Sequence, residues 1–218
     1  RDIARLKSER SEELLQIQAD PRELADRSFE HFLYAPSSRY AHAEGGSRGS
    51  VAGITRADVE SFYRAEYGPE RFTVVIAGDL DAWMAMEVVE GTFVWWTGAV
   101  RKSQAICDDV SGHEHHIRIV SKTDAPQSEL RIGHRGVPRS HPDHFPLVVM
   151  NAVLGGLFSS RINLNLREVH GYTYGAYSRF DWRRNAGPFV ISTAVESGVT
   201  ADATREIIDE LERMQEAP

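Results

Sequence analysis

The stretch Leu154–Ser178 constrains the fold more than any other part of this 218-residue chain. Gly155 and Gly156 break an apolar run. Ser159 or Ser160 then offers a side-chain oxygen to an orphan N–H of a new helix. That helix is expected to run through Ile162, Leu164 and Leu166 to about His170. Gly171 falls just past its end, where a positive φ is needed. Tyr172, Thr173, Tyr174 and Tyr177 favour an extended exit. Arg167 thus belongs to the last helical turn and Tyr174 to the outgoing strand. Read for packing alone, Arg167 offsets the helix dipole and Tyr174 joins the core. Read for chemistry, the two side chains converge on one spot. Tyr172 shares Tyr174's strand face by the period of two.

The rest of the chain frames this stretch. Ile3, Leu6, Leu14 and Ile17 share one face of a helix over 2–18, interrupted by Arg10, and Asp20-Pro21 ends it. A second helix runs from about Arg22 to Tyr34, with Leu24, Phe29, Phe32 and Leu33 inward. Residues 35–53 are rich in Pro, Ser and Gly and read as a surface loop. Thr55 and Asp58 form a capping-box-like start for a helix to Tyr67. Phe72–Ala77 is β-prone and bounded by Gly78-Asp79, which predicts a buried strand. Asp81 opens a helix with Met84, Val88 and Phe93 inward. Strands are expected at 116–121, 128–133, 172–182 and 188–195, the last two forming a hairpin. Between them, Phe145–Leu154 reads as an apolar helix. A final helix starts at Thr200 and carries Ile207, Ile208, Leu211 and Met214. Helices segregated from antiparallel strands predict an α+β fold with helices on one face of the sheet. Residues 98–112 are polar and aperiodic. They divide the chain into a half-domain over 1–97, a linker, and a half-domain over 113–218.

Composition removes several classes of function. A formal charge of -7 with no Lys/Arg cluster argues against a nucleic-acid surface. Cys107 alone forms neither an internal disulfide nor a multi-cysteine zinc site. No apolar run approaches the ~20 residues of a membrane span. The chain opens inside one helical pattern and closes at the end of another. This reads as an internal piece, so the lack of a targeting signal leaves the compartment open. Gly155-Gly156 lacks the G-K-S/T of a phosphate loop. Ser159 and Ser160 lack a paired His and Asp and read as caps rather than nucleophiles. Trp83, Trp95, Trp96 and Trp182 read as packing residues. The segment Glu129–Gly133 offers an edge to an extended peptide.

The central motif resembles the second-domain signature of the pitrilysin/insulinase family of zinc metallopeptidases, which includes the mitochondrial processing peptidases. Gly155, Gly156, Ser159, Ser160, Arg161, Leu166, Arg167, Glu168, Gly171 and Tyr174 carry the resemblance. Asp20-Pro21, the run Ile54–Val59, Tyr67, Pro69 and the run Val75–Asp81 resemble the latter part of the family's zinc-bearing domain. The resemblance implies parts of two similar domains of a duplicated fold that face each other across a cavity. It also implies hydrolysis of peptides or unfolded segments, with Arg167 and Tyr174 reaching substrate bound at zinc in the other domain. A homo- or heterodimer with a homologous subunit is implied as well, since some members divide the zinc and the Arg/Tyr pair between subunits.

The family's zinc site is an inverted H-x-x-E-H plus a later glutamate. That pentapeptide is absent here. His113, Glu114, His115 and His116 have the wrong spacing, and His31 has no partner four positions away. The resemblance assigns the later glutamate to Glu13. The residues alone fit equally a Glu13 whose stem packs and whose head meets Arg10 or solvent. An assisting acidic residue is common in the family seven positions earlier, where this chain has Leu6. That departure opens a second reading, a non-catalytic homologue serving as an Arg/Tyr-bearing partner or structural core subunit. A plain peptide-binding module is a third.

Overall fold

Short polar caps set four of the α-helix starts. In a computed structural model describing residues 2–97, 115–123 and 125–216, α1 spans Asp2–Ala19. It is followed by α2, Pro21–Leu33, where Asp20 accepts from the amides of Arg22 and Glu23. Ser47 caps α3, Arg48–Gly53. Thr55 and Asp58 form the expected reciprocal box at the start of α4, Arg56–Glu66. Asp81 caps α5, Ala82–Phe93, through the amide of Met84. Each side-chain oxygen satisfies donors that the first helical turn leaves unpaired. The expected loop over 35–53 therefore contains α3 and a short 3-10 turn at Arg39–Ala41. The expected linker at 98–112 lies outside the described residues.

The chain divides into two compact units: Arg1–Ser11 with Ser47–Ala105, and Glu12–Gly46 with Ile106–Pro218. In the first, Lys7 Nζ donates to the carbonyls of Ala52 and Ile54 at 2.7 and 2.8 Å. Phe72, Phe93 and Trp96 form an aromatic cluster with ring centroids 5.0–5.9 Å apart. Phe72–Ala77 is not the buried strand its composition predicts. It is extended but unladdered, with Val75 86% exposed. A strand needs a neighbour for its N–H and C=O groups, and none of the described residues supplies one. Met84 and Val88 of α5, expected inward, are exposed for the same lack of a covering layer. Residues 117–121, also expected as part of a strand, form no ladder with another strand among the described residues, and Ile117 and Ile119 are exposed.

The second unit holds a three-stranded antiparallel sheet of order β1-β3-β2. Its strands are β1, Gln127–Arg135, β2, Ala176–Phe180, and β3, Pro188–Glu196. Ile191 pairs with Ile132 on one side and Ser178 on the other. The helices are α6, His144–Asn151, a short α7, Arg161–Asn163, and α8, Thr200–Glu216. Leu154, Ile162, Leu166, Ala176, Phe189, Ile191, Val195, Ala203 and Ile207 make one core. Residues alternate across a strand, so Leu130 and Ile132 face that core while Arg131 points the other way and meets Asp26 of α2 at 2.5 Å. Arg183 pairs with Glu30 of α2, and the Tyr34 hydroxyl donates to the Ala186 carbonyl at 3.0 Å. Burial pushes that phenol's pKa well above its ordinary range. The mixture of helices with a small antiparallel sheet is the expected α+β class, but the helices are not confined to one face: α2 meets Arg131 on the side opposite the core that α7 and α8 share.

One helical stretch among the described residues, His144–Val169, has the length and composition of a membrane span, with mean hydropathy 1.4 in its most apolar window. It is interrupted at Leu157–Ser160, and its Leu154, Ile162 and Leu166 belong to the core.

Candidate functional site

The site begins with a close approach of helix to sheet. A Cβ on Gly155 would lie 2.4 Å from Ser178 Oγ, so only glycine fits. Beside it, Asn151 Nδ2 donates to the Ser178 carbonyl at 3.1 Å, and Ser178 Oγ donates to Asn151 Oδ1 at 2.8 Å. Gly155→Ala is expected to lower stability by about 1–3 kcal/mol, since the methyl has no room without backbone movement. A thermal melt measures this, and an unchanged melting temperature would show that the gap can open freely.

Around this contact the helix departs from α-geometry. The end of α6 continues as a π-turn over Ala152–Gly156, and α7 passes into a second over Leu164–Val169. Such wide turns shift the facing of the side chains that follow. Ser160 stands at the start of α7, as expected, but its hydroxyl makes no capping bond. Its Oγ is buried without a partner among the described residues. Gly171 closes the second turn at φ +66°, the left-handed geometry expected of it.

Arg167 sits on the second π-turn. Its guanidinium carbon lies 4.4 Å above the Phe158 ring, and its Nε is 3.5 Å from the Glu168 carboxylate. Its Nη1 is buried and has no hydrogen-bond partner among the described residues. Tyr174 lies at a bend before β2, which begins at Ala176, four residues later than the strand expected from Tyr172. Tyr174 is 92% exposed. Tyr172, expected on the same face, instead stacks on His170 at 5.0 Å and packs against the core. The period-two argument fails there because the segment is not yet a strand. The bend is tightly held. Thr173 Oγ1 accepts from the Gly175 amide at 3.1 Å and donates to the Gly175 carbonyl at 3.0 Å. The Thr193 hydroxyl of β3 donates to Thr173 Oγ1 at 2.9 Å.

Asn163 is a residue that sequence reasoning missed. It is fully enclosed. Its Oδ1 accepts from the Ala176 amide at 3.0 Å, and its Nδ2 donates to the Phe158 carbonyl at 2.6 Å. An asparagine inside a helical segment is disfavoured unless its amide is used elsewhere. That was the available signal. Thr193 carried none, since threonine is ordinary in a strand.

An open cleft of about 510 Å³ is lined by Arg161, Asn165, His170, Glu206, Glu210 and Arg213, among others, but not by Arg167 or Tyr174. In it the Glu210 carboxylate takes Arg161 Nε at 3.0 Å, Arg213 Nη1 at 2.7 Å and Asn165 Nδ2 at 3.0 Å. Burial would raise the Glu210 pKa. The Asn165 amide and the two guanidinium groups outweigh burial and hold it below the usual carboxylate range.

Glu13 occupies an exposed position on α1. Among the described residues no group of three or more His, Cys, Asp or Glu side chains is arranged to hold a metal ion. The described residues therefore do not by themselves fit a zinc ion.

Residues 53–218 match the family model described as the peptidase M16 inactive domain. An uncharacterised zinc protease of Mycobacterium tuberculosis is 31% identical over 172 residues, covering 77% of this chain and 38% of that protein. The mitochondrial-processing peptidase subunit beta of Blastocladiella emersonii is 22% identical over 156 residues, 71% of this chain and 33% of its own length. The chain thus spans less than half the length of these relatives. Among solved structures, a peptidase M16 inactive domain from Pseudomonas fluorescens superposes with a TM-score of 0.86 at 25% identity, covering all of this chain and 52% of that one. A protease from Helicobacter pylori gives 0.82 at 17% identity, covering 97% and 52%. With its Gly155–Tyr174 motif on a fold of that kind, the chain belongs to the peptidase M16 family, the pitrilysin/insulinase type that the motif resembles.

Proposed function

We propose that this chain is part of a zinc-dependent metalloendopeptidase that hydrolyses peptides or unfolded segments held between two similar domains. Arg167 and Tyr174 are its substrate-binding and catalytic residues. The supporting observation is Arg167 Nη1, a buried donor with no acceptor among the described residues. Leaving such a group unpaired costs about 1–3 kcal/mol, and a substrate carbonyl would remove that cost. As the scissile carbonyl becomes tetrahedral, its oxygen gains negative charge. A fixed guanidinium and a phenolic O–H aimed at that oxygen then stabilise the transition state more than the ground state. The planar guanidinium fork also suits neighbouring backbone carbonyls of an extended peptide. Zinc is proposed for the parent protein, in keeping with relatives named zinc proteases. Glu13 is this chain's proposed contribution, beside the two histidines of an H-x-x-E-H motif that does not occur in this sequence.

A second reading is a non-catalytic homologue that presents the Arg/Tyr pair within a homo- or heterodimer, or serves as a structural core subunit. It is favoured by the inactive-domain description of the matching model and by Leu6 in place of an acid. Cleavage of fluorescein-labelled casein and zinc content, measured on the full-length protein, separate the two. Cleavage with bound zinc supports the first. Neither, with casein binding that depends on Arg167, supports the second.

A further inference from the structure

We infer that Asn163 and the Thr173–Thr193 pair are positioning residues that hold Arg167 and Tyr174 at one fixed spacing, an inference that rests on the substrate-binding role proposed for that pair. Tyr174 is almost fully exposed, so lateral packing does little to place its ring. Its location is set by the backbone on either side. Both neighbours are tied: Thr173 and Gly175 bond to each other, and Thr193 anchors them to the central strand. With the bend held, the phenol keeps only rotation about its own side-chain bonds.

Arg167 has the complementary arrangement. Its guanidinium rests on the Phe158 ring, and the Phe158 carbonyl is held by Asn163 Nδ2. The same amide group, through Oδ1, holds the Ala176 amide where β2 begins. One enclosed side chain therefore bonds the loop that carries the arginine's stacking partner and the strand start that follows the tyrosine. Gly175, between them, lacks a side chain where a Cβ would come 2.9 Å from the Tyr177 ring. A fully buried amide with both ends bonded to backbone resists displacement, because each broken bond would strand a polar group away from water. The frame thus joins two functional groups on different elements through the backbone rather than through mutual contact.

The test uses the full-length protein, fluorescein-labelled casein, and a double-mutant cycle. Asn163→Ala is expected to lower kcat/KM by about tenfold, the scale of a sub-ångström misplacement of catalytic groups. In an Arg167→Ala, Tyr174→Phe background it should change kcat/KM by less than about twofold, since there is nothing left to position. Thr193→Val keeps side-chain size, removes the hydroxyl, and should repeat the pattern if Asn163→Ala does not fold. Thr193→Ser should restore wild-type rates. Thr92→Val is the control: it removes a hydroxyl that bonds within α5, to the Val88 carbonyl, and should leave kcat/KM unchanged per folded molecule. Casein affinity by fluorescence anisotropy is the second readout and needs no turnover. Equal losses from Asn163→Ala in both backgrounds would overturn the inference while leaving the roles of Arg167 and Tyr174 standing. If Arg167→Ala and Tyr174→Phe themselves change neither cleavage nor affinity, the functional reading fails and takes this inference with it.

Discussion

Changing Arg167 to alanine in the full-length protein is expected to lower casein turnover by about 10²–10³-fold, the range seen when one oxyanion donor is removed from a peptide-cleaving site. The stability change should be small. The side chain as a whole is about one-third exposed, and its guanidinium rests on an exposed ring, an arrangement contributing roughly 0.5–1 kcal/mol. Rate and melting temperature should therefore separate. Arg167→Lys is expected to recover little activity, since an ammonium lacks the planar fork that stacks on Phe158 and donates in two directions. Tyr174→Phe removes one hydroxyl from an exposed ring and should leave the melt unchanged while lowering turnover about tenfold or more. Initial rates with matched thermal melts make the comparison. Wild-type turnover in both Arg167→Ala and Tyr174→Phe would eliminate their assigned role.

The largest expected effect on stability lies at Glu210. Its carboxylate is shared by Arg161, Arg213 and Asn165. Glu210→Ala leaves these donors around a void and is expected to cost roughly 2–3 kcal/mol, less than the 3–5 of a fully enclosed pair because Arg213 can turn to solvent. The pH dependence has a definite sign. The folded carboxyl titrates below its ordinary value, so between the two values the unfolded chain binds more protons. The stabilisation is therefore fully present above the unfolded pKa of about 4.3. It is lost as pH falls through the lower folded value. Glu210→Gln keeps the shape and should flatten this part of the stability curve. Urea melts of both proteins from neutral to acidic pH would test it. Parallel losses in wild type and Glu210→Gln would assign the acid sensitivity to other groups.

How far the fold could be read depended on how local each determinant was. The caps at Asp20, Thr55–Asp58 and Asp81 involve atoms two or three residues apart. Gly171 is set by the end of its own helix, and the β2–β3 hairpin by alternation on either side of a turn. All were legible. Phe72–Ala77 carries a strand's composition, but a ladder is a relation between two segments and no single segment contains it. The π-turns escaped notice because a hydrophobic period read at 3.6 residues cannot register one inserted residue. Tyr172 and Tyr174 were assigned one face on the same assumption of regularity.

Chain order alone determined that a helix would stop at Gly171 with an arginine before it and a tyrosine after it. Backbone geometry and orphan donors act over a few residues, so that much needs no neighbours. Only tertiary structure decided that Asn163 would hold an amide 13 residues ahead, that Thr193 would anchor the bend, and that Arg131 and Arg183 would pair with α2. Those bonds form between groups that burial forces to find partners, and which partner lies within reach is settled by the packing of distant segments.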